Sequence, residues 1–227
     1  LLDNDQTGST GPGGVGDSNN NLLWLRGDSF VAGTWTDLSG NGNSFTGAGP
    51  TVGATGINSQ ATVEFDGSQS MSYTTALTSG VSDYDIYVVA SADVATDQVV
   101  FNETDGILLG VENASGAFQD AASTWKGDEI AIGASTPAII RYNLESGSGL
   151  SAVSVNGTED VPTVAFDYTA TSLGAASTLG ALSGGGSGFD GELAELLIFN
   201  NPLNTAQAVI IDNYLSTRYN ITVAADY

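Results

Sequence analysis

Two residue types are missing from the 227-residue chain, which contains no cysteine and no histidine. Without cysteine there is neither a disulfide framework nor a zinc–thiolate site. Without histidine there is no imidazole metal ligand, no Ser-His-Asp triad and no side chain that ordinarily titrates near neutral pH. The chemistry that remains belongs to carboxylates, amides, hydroxyls and aromatic rings.

Positive charge is almost as scarce. Four lysines and arginines stand against 26 aspartates and glutamates, which gives a formal net charge of −22. Nucleic-acid binding needs a basic face that replaces the counterions of the phosphates, so we predict no nucleic-acid partner. Anionic membrane surfaces are disfavoured for the same reason. No apolar run approaches the length of about 18 residues that a spanning helix needs, which predicts no membrane insertion.

Short apolar runs separated by glycine, asparagine, aspartate and serine are typical of an all-β sandwich or barrel, and 30 residues are glycine. Residues 84–93 form the most apolar run and predict a central strand. Residues 137–145 and 150–158 predict a hairpin, with a further turn at Asn156-Gly157. A single C-terminal helix is predicted with Asn204 as its cap. Its predicted apolar stripe consists of Val209, Ile210, Tyr214 and Ile211.

The first twenty residues have the composition of a linker, rich in glycine, serine, asparagine and aspartate. Their opening run, LLDND, resembles the end of bacterial immunoglobulin-like or cadherin-like repeats. We therefore predict a flexible linker over residues 1–20, one sandwich domain over residues 21–227, and neighbouring domains in a longer chain.

Five segments in a fixed order carry a resemblance to a known family. They are WLRGDS (24–29), TWTDLSGNGNSF (34–45), ATVEFDGSQSMSY (61–73), YDIYVVASAD (84–93) and the closing stretch from FDGELAELLIF to NYLSTRYNI (189–221). Together they resemble the laminin-G-like, concanavalin A-like lectin/glucanase superfamily, in particular the branch found in bacterial surface proteins and adhesins. The resemblance implies a two-sheet antiparallel jelly-roll sandwich with one C-terminal helix.

A loop rich in oxygen-bearing side chains predicts a calcium site. Asp37, Asn41 and Asn43 stand between glycines, and Ca²⁺ takes six to eight oxygen ligands from carboxylates, amides and carbonyls. The resemblance implies that such a loop meets an acidic residue near the closing strand, here Glu195 or Glu192. The alternative is an Asx-turn loop without metal.

Glu192 and Glu195 invite comparison with the glucanases of the same superfamily. Retaining glycosidases need two carboxyl groups about 5–5.5 Å apart. The glucanases of the superfamily place theirs on one strand as E-x-D-x-x-E or E-x-D-x-E, and the middle aspartate is absent here. Residues on the same face of a strand differ by two or four, whereas these two glutamates are three apart and should face opposite ways. We therefore predict that the chain is not an enzyme.

Four residues outside the shared motifs are the predicted ligand contacts. Trp125 is the only tryptophan in the divergent middle of the chain, where an exposed ring would stack on a sugar. Ordinary packing of Trp125 is the alternative. Tyr142, Asp97 and Asn102 are further candidates on the same argument.

The tripeptide Arg26-Gly27-Asp28 matches an integrin-binding sequence. Such a sequence normally occupies an exposed loop tip, whereas this one follows an apolar run. We therefore interpret it as the end of a structural strand, at a position where alanine is common in the family.

These observations predict a non-catalytic, lectin-like module of a bacterial extracellular adhesin or secreted multidomain protein. Its partner would be a carbohydrate or cell-surface glycan, with Ca²⁺ bracing the fold or bridging to the ligand. The alternative is a spacer, or a domain that binds another protein or a peptide and no glycan. Both place the chain outside the cell or on the bacterial surface.

Overall fold

The computed structural model describes residues 11–77, 83–94, 96–103, 108–112, 115–119, 125–126, 130–147, 151–159, 176–182 and 185–224. These residues form sixteen strands and one α-helix. The strands are β1 (Asn21–Val31), β2 (Thr34–Asp37), β3 (Phe45–Thr46), β4 (Thr51–Val52), β5 (Val63–Asp66), β6 (Met71–Tyr73), β7 (Asp83–Ala92), β8 (Gln98–Glu103), β9 (Leu108–Glu112), β10 (Ser115–Gln119), β11 (Trp125–Lys126), β12 (Ala138–Glu145), β13 (Ala152–Val155), β14 (Thr158–Glu159), β15 (Ser177–Leu179) and β16 (Asp190–Phe199), and the helix is α1 (Thr205–Tyr219).

The strands join in one continuous hydrogen-bonded path that folds back on itself. Its order is β11-β10-β9-β8-β15-β6-β3-β2-β1-β16-β7-β12-β13-β14, with β5 added at β16 and β4 at β5. Strands from the two ends of the path face each other, because the Tyr142 hydroxyl in β12 donates to the carbonyl oxygen of Gly110 in β9 at 3.0 Å. The predicted all-β antiparallel sandwich with a C-terminal helix is confirmed.

We call the half of the path that contains β16, β7, β12, β13 and β14 the helix-side layer. Its inner face packs against the other half in the main core, to which Trp35, Phe45, Phe65, Phe101 and Tyr142 all belong. Its outer face packs against α1 in a second cluster, which includes Trp24, Tyr87, Phe199, Leu215 and Tyr219. The prediction that Trp24 and Trp35 are core residues is confirmed, since they are 6% and 0% exposed.

Strand β1 passes from one layer to the other. Its first half pairs with β16, and Phe30 and Val31 pair with β2. Gly27 lies at the crossing, where a Cβ atom would come within 1.9 Å of the Ala61 carbonyl oxygen. This close approach requires glycine, although alanine was expected to be acceptable here.

The Arg26-Gly27-Asp28 tripeptide is therefore part of a strand corner. Arg26 donates from Nε to Asp28 at 2.7 Å, and its carbonyl oxygen accepts from the Trp35 indole at 2.8 Å. The interpretation of this sequence as a structural strand end agrees with these contacts.

Helix α1 begins as the sequence predicts. The Asn204 side chain accepts from the Gln207 backbone at 3.0 Å, and Gln207 accepts from the Asn204 backbone at 3.1 Å, which completes a capping box. The predicted stripe is wrong in part, because Ile210 is 45% exposed. The residues that the helix buries are Ala208, Ile211, Asp212, Leu215 and Tyr219.

The predicted linker ends earlier than residue 20. Val15 is 4% exposed and belongs to the cluster beneath α1. The Asn200 backbone donates to the Asn20 carbonyl oxygen at 3.0 Å, which ties this segment to the end of β16. Residues 11–20 are thus packed on the sandwich, and residues 1–10 lie outside the described part. Within that part, no helix is long and apolar enough to cross a membrane.

Candidate functional site

Glu195 lies at the centre of a buried hydrogen-bond cluster beneath α1. Its carboxylate is 1% exposed. It accepts from the Trp24 indole at 2.7 Å, the Tyr214 hydroxyl at 2.9 Å and the Tyr219 hydroxyl at 2.8 Å. Burial raises the pKa of Glu195, while the hydrogen bonds from Tyr219 and Trp24 oppose that shift. These contacts tie the helix to β1 and β16.

A β-bulge overturns the prediction that Glu192 and Glu195 face opposite ways. The pairing of β16 with β7 shifts between Leu193 and Glu195, so that Ala194 is an extra residue in the strand. Leu193 packs in the main core, and Ala194 packs in the cluster beneath α1. Glu195 therefore lies on the outer face, as Glu192 does.

The two glutamates still do not form a glycosidase pair, because Glu195 is enclosed by its three donors. Glu192 is half-buried and lies directly opposite the exposed Glu64 of β5. Burial raises the pKa of Glu192, and the negative charge of Glu64 raises it further. Like charges directly opposite each other destabilise a sheet.

The predicted calcium loop is held by hydrogen bonds. Asp37 is 8% exposed. Its carboxylate accepts from the backbone of Trp24 at 3.0 Å, from the backbone and hydroxyl of Ser39 at 2.9 and 2.8 Å, and from the backbone of Asn43 at 2.9 Å. The side-chain amides of Asn41 and Asn43 donate to backbone carbonyls of β1 at 2.9 and 2.8 Å.

These contacts supply hydrogen-bond donors to the carboxylates of Asp37 and Glu195 without a metal ion. This is what the alternative of an Asx-turn loop requires. The Trp24 residue lies between them, since it donates to Asp37 from its backbone and to Glu195 from its indole. Within the described ranges, no group of three or more acidic side chains is placed to hold a metal ion. Calcium binding stays a prediction.

The four predicted ligand contacts differ in their surroundings. Tyr142 is fully buried in the main core, so its prediction as a ligand contact is wrong. Asn102 is 7% exposed, and its side chain donates to the Glu103 carbonyl oxygen at 3.3 Å. Asp97 is exposed between β7 and β8. Trp125 lies in β11, where its backbone pairs with Gln119, and its side chain lies outside the described part.

A polar depression opens on the outer face of the helix-side layer. It has a volume of about 220 Å³. It is lined by Arg141, Asn143, Ala152, Ser154 and Glu159, which come from β12, β13 and β14. Arg141 and Asn143 alternate along β12 with Ile140, Tyr142 and Leu144, which point into the main core.

Strand register aligns three of these lining residues in one row. Arg141 pairs with Ser154, and Ser154 pairs with Glu159. Because neighbouring strands lie about 4.8 Å apart, the row spans roughly 10 Å. Asn143 lies two residues from Arg141 along β12, on the same face. A cationic group, a hydroxyl, a carboxylate and an amide thus converge on one rigid stretch of sheet.

Within the described part of the chain, most of these polar groups have no protein partner. Asn143, Ser154 and Glu159 make no side-chain hydrogen bond or ion pair with any other residue in the described ranges. Arg141 donates from Nε and Nη2 to Asp85 at 2.8 and 2.6 Å, which leaves its Nη1 group for other contacts. The depression therefore presents donors and acceptors that the fold itself does not use.

Behind the depression, Arg141 belongs to a buried charge cluster. Its guanidinium stacks on the Tyr87 ring at 5.6 Å and pairs with the fully buried Asp85. Asp212 of α1 is 9% exposed in the same region. Burial raises the pKa of Asp212 to about 6, with Arg141 opposing and Asp85 adding to the shift. Asp85 neutralises most of the charge that Arg141 could offer to a ligand.

Sequence reasoning missed this depression, although one signal was present. Residues 138–145 alternate between apolar and polar side chains, and such alternation indicates one buried face and one open face. The polar members, Arg141 and Asn143, lie on the open face, whereas Tyr142, the predicted ligand contact, lies on the buried face.

No protein-family model matches the chain, and no curated protein matches it. Several solved structures do resemble it. Domain 4 of AbnA, a GH43 extracellular arabinanase from Geobacillus stearothermophilus, in complex with arabinotriose, has a TM-score of 0.64 at 16% identity, over 85% of this chain and 97% of that one. The binding domain of Paraclostridial Mosquitocidal Protein 1 has a TM-score of 0.62 at 12% identity, over 88% of this chain and 53% of that one.

The sialidase of Trypanosoma rangeli is a third similar structure, with a TM-score of 0.60 at 13% identity over 94% of this chain and 36% of that one. The chain thus spans about half of the toxin binding domain and about a third of the sialidase. At these identities the likeness concerns the fold, and one fold serves many functions. The comparisons therefore establish a β-sandwich of the kind found in these proteins.

Proposed function

We propose that the chain is a non-catalytic carbohydrate-binding module of a bacterial extracellular protein, either an adhesin or a secreted multidomain protein. The observation that carries this proposal is the likeness to domain 4 of the arabinanase, a domain seen in complex with arabinotriose. That likeness covers 97% of the domain. It therefore concerns the sugar-bound domain as a whole.

Two features of the chain support the proposal. The depression on the helix-side layer offers unpartnered hydroxyl, amide and carboxylate groups, the kinds of group that hydrogen-bond to sugar hydroxyls. The buried state of Glu195 speaks against a carboxylate pair of the glycosidase type at Glu192 and Glu195. A protein that binds sugar without cleaving it fits both features.

A polysaccharide depletion assay tests the proposal. The protein is incubated with insoluble arabinan, xylan, cellulose or chitin, the solid is removed, and the protein left in solution is measured. We expect depletion by at least one of these neutral polymers. Depletion by none, with circular dichroism showing folded protein, would favour the spacer or protein-binding alternative.

A reducing-sugar assay on soluble oligosaccharides tests the proposal that the chain is non-catalytic. We expect the wild-type protein to release no more reducing sugar than its Glu192→Gln variant does. Release that depends on Glu192 would instead identify a glycosidase, with Glu64 as the partner carboxylate to examine next.

A further inference from the structure

We propose that the depression formed by β12, β13 and β14 is the sugar-binding site, and that it takes one unit of a neutral saccharide. This inference rests on the proposed function and assigns the place where that function occurs. The site differs from the residues that the sequence suggested, because none of those whose side chains are described lines the depression.

The first argument is the set of unused hydrogen-bonding groups. Asn143 supplies two N–H donors and one acceptor, Ser154 supplies a donor and acceptors, and Glu159 supplies acceptors only. A sugar hydroxyl both donates and accepts, so neighbouring hydroxyls of one ring can satisfy a row that mixes both kinds of group. Arg141 lies at the opposite end of the row from Glu159.

The second argument is electrostatic and concerns the charge of the ligand. Glu159 has no ion-pair partner in the described ranges, whereas Arg141 is already paired with Asp85. The chain as a whole carries a formal charge of −22. A uronic or sialic acid would therefore meet repulsion, which favours a neutral sugar over an acidic one.

The third argument is size and rigidity. Pockets for drug-sized ligands measure roughly 300–1,000 Å³, so a depression of about 220 Å³ suits a smaller group, such as a single sugar unit of a longer chain. Its polar residues lie on strands, and Arg141 is further fixed by Asp85 and the Tyr87 ring. Preorganised groups lose little freedom on binding. Among the described residues, Ala152 is the only apolar one in the lining, so hydrogen bonds provide most of the affinity.

Isothermal titration with defined trisaccharides tests the site. The probes are arabinotriose, xylotriose, cellotriose and chitotriose, with the acidic trigalacturonate as a fifth. The variants are Asn143→Ala, Ser154→Ala and Glu159→Gln. A hydrogen bond that involves a charged group is worth about tenfold or more in an equilibrium constant. We expect Glu159→Gln to weaken binding of a neutral probe about tenfold, and Asn143→Ala and Ser154→Ala, which remove neutral hydrogen-bonding groups, to weaken it several-fold.

Matched controls come from exposed strand positions elsewhere. Ser72→Ala in β6 and Glu64→Gln in β5 make the same chemical changes outside the depression, and both should bind like the wild type. Unchanged melting temperatures show that the variants fold. The side chains of the three substituted residues make no hydrogen bond or ion pair within the described part of the chain, so loss of folding is not expected.

Three results would overturn the proposal, each in a different way. Wild-type affinity in all three depression variants would place the sugar elsewhere and leave the proposed function standing. Binding of trigalacturonate in preference to every neutral probe would refute the claim that the ligand is a neutral saccharide. Binding of no probe, together with no depletion by polysaccharide, would refute the site and the proposed function at once.

Discussion

The indole nitrogen of Trp24 and a carboxylate oxygen of Glu195 lie 2.7 Å apart, although 171 positions separate the two residues in the chain. The backbone of Trp24 also donates to Asp37. One residue thus joins the first strand, the glycine-rich loop and the closing strand. These are the segments that carry the family resemblance, so their shared pattern is explained by the architecture and does not identify a ligand.

Replacing Glu195 tests the structural role of this cluster. Glu195→Ala leaves the Trp24 indole N–H and the Tyr214 hydroxyl without their acceptor and removes the carboxylate that lies 3.8 Å from Arg218 Nε. Unpaired buried polar groups are costly. We expect a loss of about 3–5 kcal/mol in the free energy of unfolding, measured by urea denaturation. The control is Glu192→Ala, on the same strand and face, which should cost less than about 1 kcal/mol. Equal losses in the two variants would contradict the account.

The raised pKa of Asp212 predicts how the stability of the folded chain depends on pH. Burial raises the pKa of Asp212 in the folded chain to about 6, from an ordinary value of 3.8. Because the folded state favours the protonated carboxyl, ionisation of Asp212 costs stability as the pH rises from about 4 to about 6. The Asp212→Asn variant avoids this cost. We expect it to be more stable than the wild type by about 1–3 kcal/mol near neutral pH, and to lose that advantage near pH 4.

Urea denaturation at a series of pH values checks the Asp212 prediction. Asp97→Asn removes one negative charge from an exposed position and controls for the general reduction of self-repulsion. It should give a much smaller gain. A constant difference between Asp212→Asn and the wild type across that window would refute the assignment.

The Gly27→Ala variant tests how closely β1 approaches Ala61 where it crosses between the layers. The Cβ atom of Gly27→Ala would lie 1.9 Å from a backbone oxygen, so β1 or the segment at Ala61 must move. We expect a loss of about 3 kcal/mol, at the upper end for overpacking. Gly42→Ala meets no atom within 4 Å, and only its left-handed φ of +76° opposes the substitution, which should cost about 1 kcal/mol. A Gly27→Ala protein as stable as the wild type would show that the approach is looser than described.

Calcium provides a test of the glycine-rich loop. Both oxygens of Asp37 already accept N–H or O–H donors, so millimolar Ca²⁺ should leave the melting temperature unchanged relative to EDTA. Asp37→Asn should lower that temperature equally in both solutions. A rise caused by Ca²⁺ in the wild type and absent from Asp37→Asn would instead establish the calcium site that the sequence predicts.

The sequence predicted those parts of the fold that depend on local chemistry. The turn at Asn156-Gly157 is confirmed between β13 and β14, because both residues adopt positive φ, at 50° and 74°. The cap at Asn204 is confirmed for a similar reason, since a short polar side chain before a helix satisfies its first N–H groups. Such signals lie within a few residues of the feature they predict.

Features that depend on distant parts of the chain were missed. The bulge at Ala194 places Glu195 under α1, and only the register against β7 reveals it. The depression brings Arg141 and Glu159 into one row through two successive strand pairings, although 18 positions separate them in the sequence. Burial of Tyr142 likewise depends on which face of β12 meets the opposite layer.

The most direct test of the central claim is an oligosaccharide array probed with the wild-type protein, once with Ca²⁺ and once with EDTA. The account predicts binding to neutral oligosaccharides in both solutions, with little or no binding to sialylated or uronic-acid glycans. Absence of binding in both solutions, with the protein shown to be folded, would contradict the claim that this sandwich is a carbohydrate-binding module.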